Sequence, residues 1–107
     1  MAHLDEVREG LQLFERQAWA SAYAALAGAD KRAPLACDQL EVLAAAAYLA
    51  GLDGASDQAW TRAFHFHQRA DDPRRAVRCA FWLAFRLLNS SDVPQGSGWA
   101  ARIRRLL

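Results

Sequence analysis

The sequence predicts an all-α protein of six helices, and three observations predict it. Apolar residues recur at helical spacing, as in Leu4, Val7, Leu11 and Phe14, and no segment shows the alternation of a strand. The chain is rich in alanine and poor in β-branched residues, which favours helix over sheet. Its three prolines, Pro34, Pro73 and Pro94, sit where a helix can stop or start.

Each element follows from local signals. The first helix is expected over about 3–15 on the Leu4–Phe14 stripe, and a second over about 19–29 through Trp19, Tyr23 and Leu26. The stretch APLACD breaks that pattern. Asp38 with Glu41 three residues on reads as an acidic capping box, opening a third helix to about Ala50. Gly51 suits a left-handed position just past that helix. A fourth helix is expected from about Ala55 to Ala70 through Trp60, Phe64 and His67. Asp72-Pro73 is a start signal, with Asp as N-cap and Pro in the first position, for a fifth helix to about Leu88. NSSDVPQGSG reads as a loop or weak helix start before a last helix carrying Trp99, Ile103 and Leu106.

The fifth segment poses the main question. In RCAFWLAFRLL, residues 78–88, apolar side chains go nearly all the way round, interrupted only by Arg78 and Arg86. A surface helix needs one apolar stripe about 100° wide. The surplus must be covered by the chain itself, a partner or a ligand.

Composition sets the limits. At 107 residues, 53% hydrophobic and 23% charged, the chain is expected to form one domain over 1–107 that buries a core without metal or disulfide staples. A formal charge of +1 argues against a general nucleic-acid or membrane-surface binder. The exception is local, where Arg102, Arg104 and Arg105 fall close together. Cys37 and Cys79 have no metal-site spacing and read as small buried hydrophobes in a reducing cytosol. MAHLDEVREG lacks a basic, then apolar, leader pattern, and no run approaches the ~20 apolar residues of a membrane span. A cytoplasmic location is expected.

Spacing says more than composition. Ala22, Leu26 and Ala29 are echoed by Ser56, Trp60 and Ala63, 34 residues on, and by Gly96, Ala100 and Ile103, a further forty on. The preceding helices match as well: Gly10 and Leu13, Ala44 and Ala47, Ala84 and Leu87. Small residues thus recur where paired helices would touch: Gly10 against Ala22, Ala44 against Ser56, Ala84 against Gly96. A 34-residue period of paired antiparallel helices marks a tetratricopeptide array.

On these residues the chain resembles the tetratricopeptide-repeat family over essentially its full length, with repeats at about 3–36, 37–76 and 77–107. The resemblance implies a right-handed superhelix of three antiparallel hairpins. Pro34 matches the family's closing proline, the second repeat closes six residues late at Pro73, and Glu6 and Glu9 stand where the family prefers large apolar residues. LEVLAAAAYLAG, RCAFWLAFRLLN and GWAARIRRLL also look like the N-terminal helical region of large LuxR-type bacterial transcription regulators. That likeness includes no recognition helix, so DNA binding is not implied for this chain.

What the resemblance implies is a non-catalytic protein-protein interaction module, in bacterial signalling or transcriptional regulation, that holds a helix or peptide. The family's groove-facing positions fall on Val7, Leu11 and Phe14, then Glu41, Ala45 and Tyr48, then Arg78, Phe81, Phe85 and Leu88. On this reading Phe81 and Phe85 face the groove while Leu83, Ala84 and Leu87 face the core. Plain core packing and a small-molecule pocket stay open beside it. Trp99, Ile103, Leu106 and Leu107 offer a surface for self-association, giving a homodimer. Arg102 and Arg105 share a helix face and suit an acidic partner or phosphates, although three arginines are few for nucleic acid and cations also favour a helix C-terminus.

Other chemistry finds little support. His65 and His67 are two apart on a helix and point in different directions, unlike metal pairs. No His stands at a helical interval from Cys79 to activate it, Ser90 and Ser91 read as turn residues, and GLDGAS lacks the lysine of a phosphate loop. No catalytic residue, metal or cofactor is assigned.

Overall fold

The computed structural model describes residues 2–89 and 93–106, and all the regular structure among them is α-helical. The six helices are α1 (Ala2–Glu15), α2 (Trp19–Arg32), α3 (Cys37–Leu49), α4 (Asp53–Arg69), α5 (Pro73–Asn89) and α6 (Val93–Leu106). The fold class is therefore all-α, as expected. The chain divides into two compact units, Met1–Ala59 and Trp60–Leu107, with the boundary inside α4. None of the described helices is long and apolar enough to cross a membrane.

Three helices end in the same turn. At the end of α1, Ala18 N–H donates to Leu13 O and Gln17 N–H to Phe14 O; α3 repeats this with Leu52 to Ala47 and Gly51 to Tyr48. α4 repeats it again, with Asp72 to His67 and Asp71 to Gln68. These are Schellman motifs, whose penultimate residue must turn left-handed. That residue is Gln17 (φ 64°), Gly51 (φ 82°) and Asp71 (φ 55°). Only Gly51 is free of the Cβ penalty. Gln17 and Gly51 lie 34 residues apart, the period of the small-residue pattern.

In the first unit α1 and α2 run antiparallel. Phe14 meets Trp19 edge-on at 5.1 Å near the turn, Gly10 approaches Leu26, and at the far end the His3 ring reaches Ala33 O at 3.1 Å. A Cβ on Gly10 would stand 2.6 Å from Leu26 Cγ and 3.3 Å from its backbone nitrogen, so this crossing requires glycine. Gly10 therefore packs on Leu26, one turn beyond the expected Ala22, which is itself fully buried. Glu6, out of pattern in the sequence, pairs with Arg32 at 2.8 Å across the hairpin. That partly exposed pair is worth about 1 kcal/mol or less.

α2 continues three residues past its expected end, to Arg32, with Lys31 and Arg32 in its last turn, where cations suit the helix dipole. Ala33 is extended, as a residue before proline must be. Asp30 Oδ1 accepts from Leu35 N–H at 3.2 Å, and Leu35 is buried, which anchors the connection. The N-cap of α3 is Ala36 rather than Asp38, and Gln39 Oε1 accepts from Ala36 N–H at 3.1 Å. The acidic capping box expected of Asp38 and Glu41 is thus replaced by a one-sided one. α4 starts at Asp53, two residues early, with Asp53 in its first turn. Ser56 then donates its hydroxyl to Ala44 O at 2.9 Å, which is the expected small-residue contact with a buried hydrogen bond added.

In the second unit, Asp72 Oδ1 accepts from Arg75 N–H at 3.3 Å, the expected N-cap of α5. Trp60 of α4 stacks on Trp82 of α5 at 6.4 Å, and Phe64 of α4 meets Trp99 of α6 edge-on at 5.0 Å. α6 begins at Val93, inside the segment read as a loop, because proline is tolerated in a first turn; residues 90–92 of that segment lie outside the described residues. Gly96 approaches Leu88, whose Cγ would be 2.6 Å from an added Cβ. A glycine is again required at a crossing, here one turn from the expected partner Ala84.

The left-handed positions yield a prediction. Gln17→Gly removes a Cβ penalty and should stabilise the protein by about 0.5–1 kcal/mol after the entropy cost of glycine in the unfolded chain. Gly51→Ala should destabilise it by a similar amount. Urea unfolding checks both, as shifts in midpoint without a change in slope.

Candidate functional site

α5 carries two stripes, and they explain its near-continuous apolar sequence. Ala76, Cys79, Ala80, Leu83, Ala84 and Leu87 are all buried. They recur at steps of three and four residues, so they form one face of the helix. The second stripe, Arg74, Arg78, Phe81, Phe85 and Leu88, has the same spacing, and all five are exposed. Phe81 is 52% exposed, Phe85 44% and Leu88 44%. Leu83, Ala84 and Leu87 thus face the core, and Phe81 and Phe85 face outward.

The exposed aromatics form one connected cluster. Phe81 and Phe85 stack at 6.3 Å with planes 21° apart. Trp82, itself 41% exposed, sits edge-on to Phe85 at 6.0 Å and to Phe81 at 5.8 Å. It also stacks with Trp60 at 6.4 Å. Each such pair contributes about 0.5–1.5 kcal/mol beyond area burial, so the rings hold each other in place before any partner arrives. Fully covering a side chain of this size contributes about 1.5–3 kcal/mol, and these three rings and Leu88 retain roughly half of that potential.

The stripe is graded along its length. Its N-terminal end carries the guanidiniums of Arg74 and Arg78, and its C-terminal end is wholly apolar. Seven-residue recurrence at steps of three and four is the pattern that two packed helices share.

The other expected groove positions are placed differently. Val7 is buried in the first unit, Leu11, Phe14, Glu41 and Ala45 are half-buried, and Tyr48 is 40% exposed beside exposed Leu49 and Leu52. Of the residues singled out for self-association, Trp99, Ile103 and Leu106 are half-buried and Leu107 lies outside the described residues. Cys79 is fully buried, but Cys37 only partly. His67 is buried and His65 exposed, as their two-residue offset requires.

Arg102 and Arg105 are exposed and belong to a separate feature. Arg102 lies over the Trp99 ring, 4.3 Å from its centroid. Both arginines line a cleft of about 290 Å³ with Leu106 of α6 and Phe64, His65 and Gln68 of α4. Sequence reasoning missed His65 and Gln68 as partners of the arginines; the signal was their three-residue spacing, which puts both on one face of α4. It also missed Trp60 and Trp82, since Trp82 sits next to, and not on, the spacing of the exposed stripe.

The two stripes of α5 predict opposite responses. Leu83→Ala should cost about 2–5 kcal/mol in unfolding free energy. Phe81→Ser should cost less, about 1–2 kcal/mol, since half of that ring faces water already and the loss comes mainly from its two ring contacts. Thermal and urea melts of the two variants check this.

No family model matches the chain, and no curated protein or solved structure matches it either.

Proposed function

We propose that the chain is a non-catalytic interaction module that holds an amphipathic helix of a partner protein along the outer stripe of α5. The observation that carries this reading is the exposed, pre-stacked row of Phe81, Phe85 and Leu88 in line with Arg74 and Arg78. A helix laid into such a row meets it by the spacing rules of paired helices. The buried rings act as anchors at the centre of the contact. The two guanidiniums select a partner whose far end carries Asp or Glu.

A tetratricopeptide-like array of three hairpins is the architecture that best accommodates this role. It is supported by the small residues at the helix crossings and by the identical turns at Gln17 and Gly51, 34 residues apart. By that resemblance the setting is bacterial signalling or transcriptional regulation, with the module inside the cytoplasm. A second copy of the chain is the competing occupant of the same surface.

Selection from a displayed library of helical peptides tests the proposal. Enriched peptides should carry apolar residues at three- and four-residue steps with an acidic end. Phe81→Glu should abolish their binding while circular dichroism shows the helical fold retained at the temperature of the assay. Enrichment without that pattern, or binding that survives Phe81→Glu, would sink the reading. Light scattering at micromolar concentration separates the competitor: a dimer that Phe81→Glu dissociates assigns the surface to self-association.

A further inference from the structure

We infer that the cleft between α4 and α6 is a binding site for a small organic monocarboxylate with an apolar substituent. The inference is independent of the α5 stripe, because none of that stripe's residues lines the cleft. Its volume, about 290 Å³, falls just under the range of drug-sized ligand clefts, about 300–1,000 Å³, which suits a smaller molecule. Among the described residues, two arginines, a histidine, a glutamine, a phenylalanine and a leucine line it. No acidic side chain is among them.

The arrangement is already organised to receive an oxyanion. Arg102 and Arg105 are one turn apart on α6 and so share a face, as His65 and Gln68 do on α4. The Trp99 ring lies beneath the Arg102 guanidinium, 4.3 Å from its centroid, which restrains the guanidinium beside the cleft it lines. Trp99 is itself held edge-on against Phe64 at 5.0 Å. The guanidinium therefore loses little freedom when it binds. The imidazole and the amide add hydrogen-bond partners, while Phe64 and Leu106 provide apolar wall.

Charge selects the class of anion. Both helices reach the cleft through their C-terminal ends, which end at Arg69 and Leu106, and each such end carries about half a negative charge. Two guanidiniums exceed that, so the cleft is positive by less than two full charges. That balance suits a monocarboxylate better than a dianionic phosphate. The apolar wall suits a ligand with an aryl or alkyl group and disfavours a bare ion.

The test uses 3-phenylpropionate, the neutral 3-phenylpropan-1-ol, acetate and inorganic phosphate as probes, with NMR shifts of Phe64, Leu106 and the Trp99 indole as readout. Saturable shifts are expected with 3-phenylpropionate, at an affinity roughly tenfold or more above that of the alcohol and of acetate, the scale of one charge-assisted hydrogen bond or one buried ring. Arg105→Gln should weaken it by about tenfold, whereas Arg69→Gln, outside the cleft, and Phe81→Glu, on the α5 stripe, should leave it unchanged. Both arginines are exposed, so neither substitution should disturb folding, and circular dichroism checks this. Absence of a saturable shift at about 10 mM acid, weaker than any useful site, overturns the proposal. So does equal binding of the alcohol, or phosphate binding as tightly as the acid.

Discussion

At three crossings in this structure two helices approach so closely that one of them can carry almost no side chain there. This constraint governs the rest of the structure. Gly10 meets it for α1 and α2, Gly96 for α5 and α6, and Ala44 with Ser56 for α3 and α4. At the first two, a Cβ would collide with a leucine side chain and press on its backbone nitrogen. At the third, the helices are close enough for a serine hydroxyl to reach a main-chain carbonyl. The short turns behind the first and third of these approaches are Schellman endings at Gln17 and Gly51, and the same ending at Asp71 joins α4 to α5; Gln17 and Asp71 take a left-handed non-glycine residue to keep the geometry. Backbone strain of about 1–2 kcal/mol at such residues is offset by the burial that close helices allow.

Close packing on one side leaves the other side of α5 exposed. The helix fills its inner stripe with small and medium residues, from Ala76 to Leu87, so its rings have no place there. Phe81, Trp82 and Phe85 turn outward and pack on one another. A cluster of this kind is unfavourable in water and gains from any apolar cover, which links the packing rule of the core to the proposed role of the surface. In the second unit Phe64 and Trp99 do the reverse. They use the aromatic contact to position a guanidinium beside a cleft.

Local signals were legible where a single residue type carries the information. Asp72-Pro73 marked the start of α5, Gly51 the end of α3, and the small-residue series the crossings of the helices. The misses share a cause as well. Gln17 and Asp71 carry no local signal for a left-handed turn, because the turn is imposed by where the next helix must pack. Ala36 caps α3 without a capping side chain, since Gln39 supplies the hydrogen bond from inside the helix. α6 starts early because Pro94 reads as a break in sequence yet fits a first turn.

By itself the sequence determined the class of fold, the number of helices and the inner face of α5, because helical periodicity and turn chemistry act over a few residues. The tertiary structure alone decided which surplus rings stay exposed, that Trp60 backs Trp82, and that His65 and Gln68 of α4 share a cleft with Arg102 and Arg105 of α6. Those relations join residues tens of positions apart in the chain. They depend on how the helices cross and which residues are covered, and no local pattern encodes that.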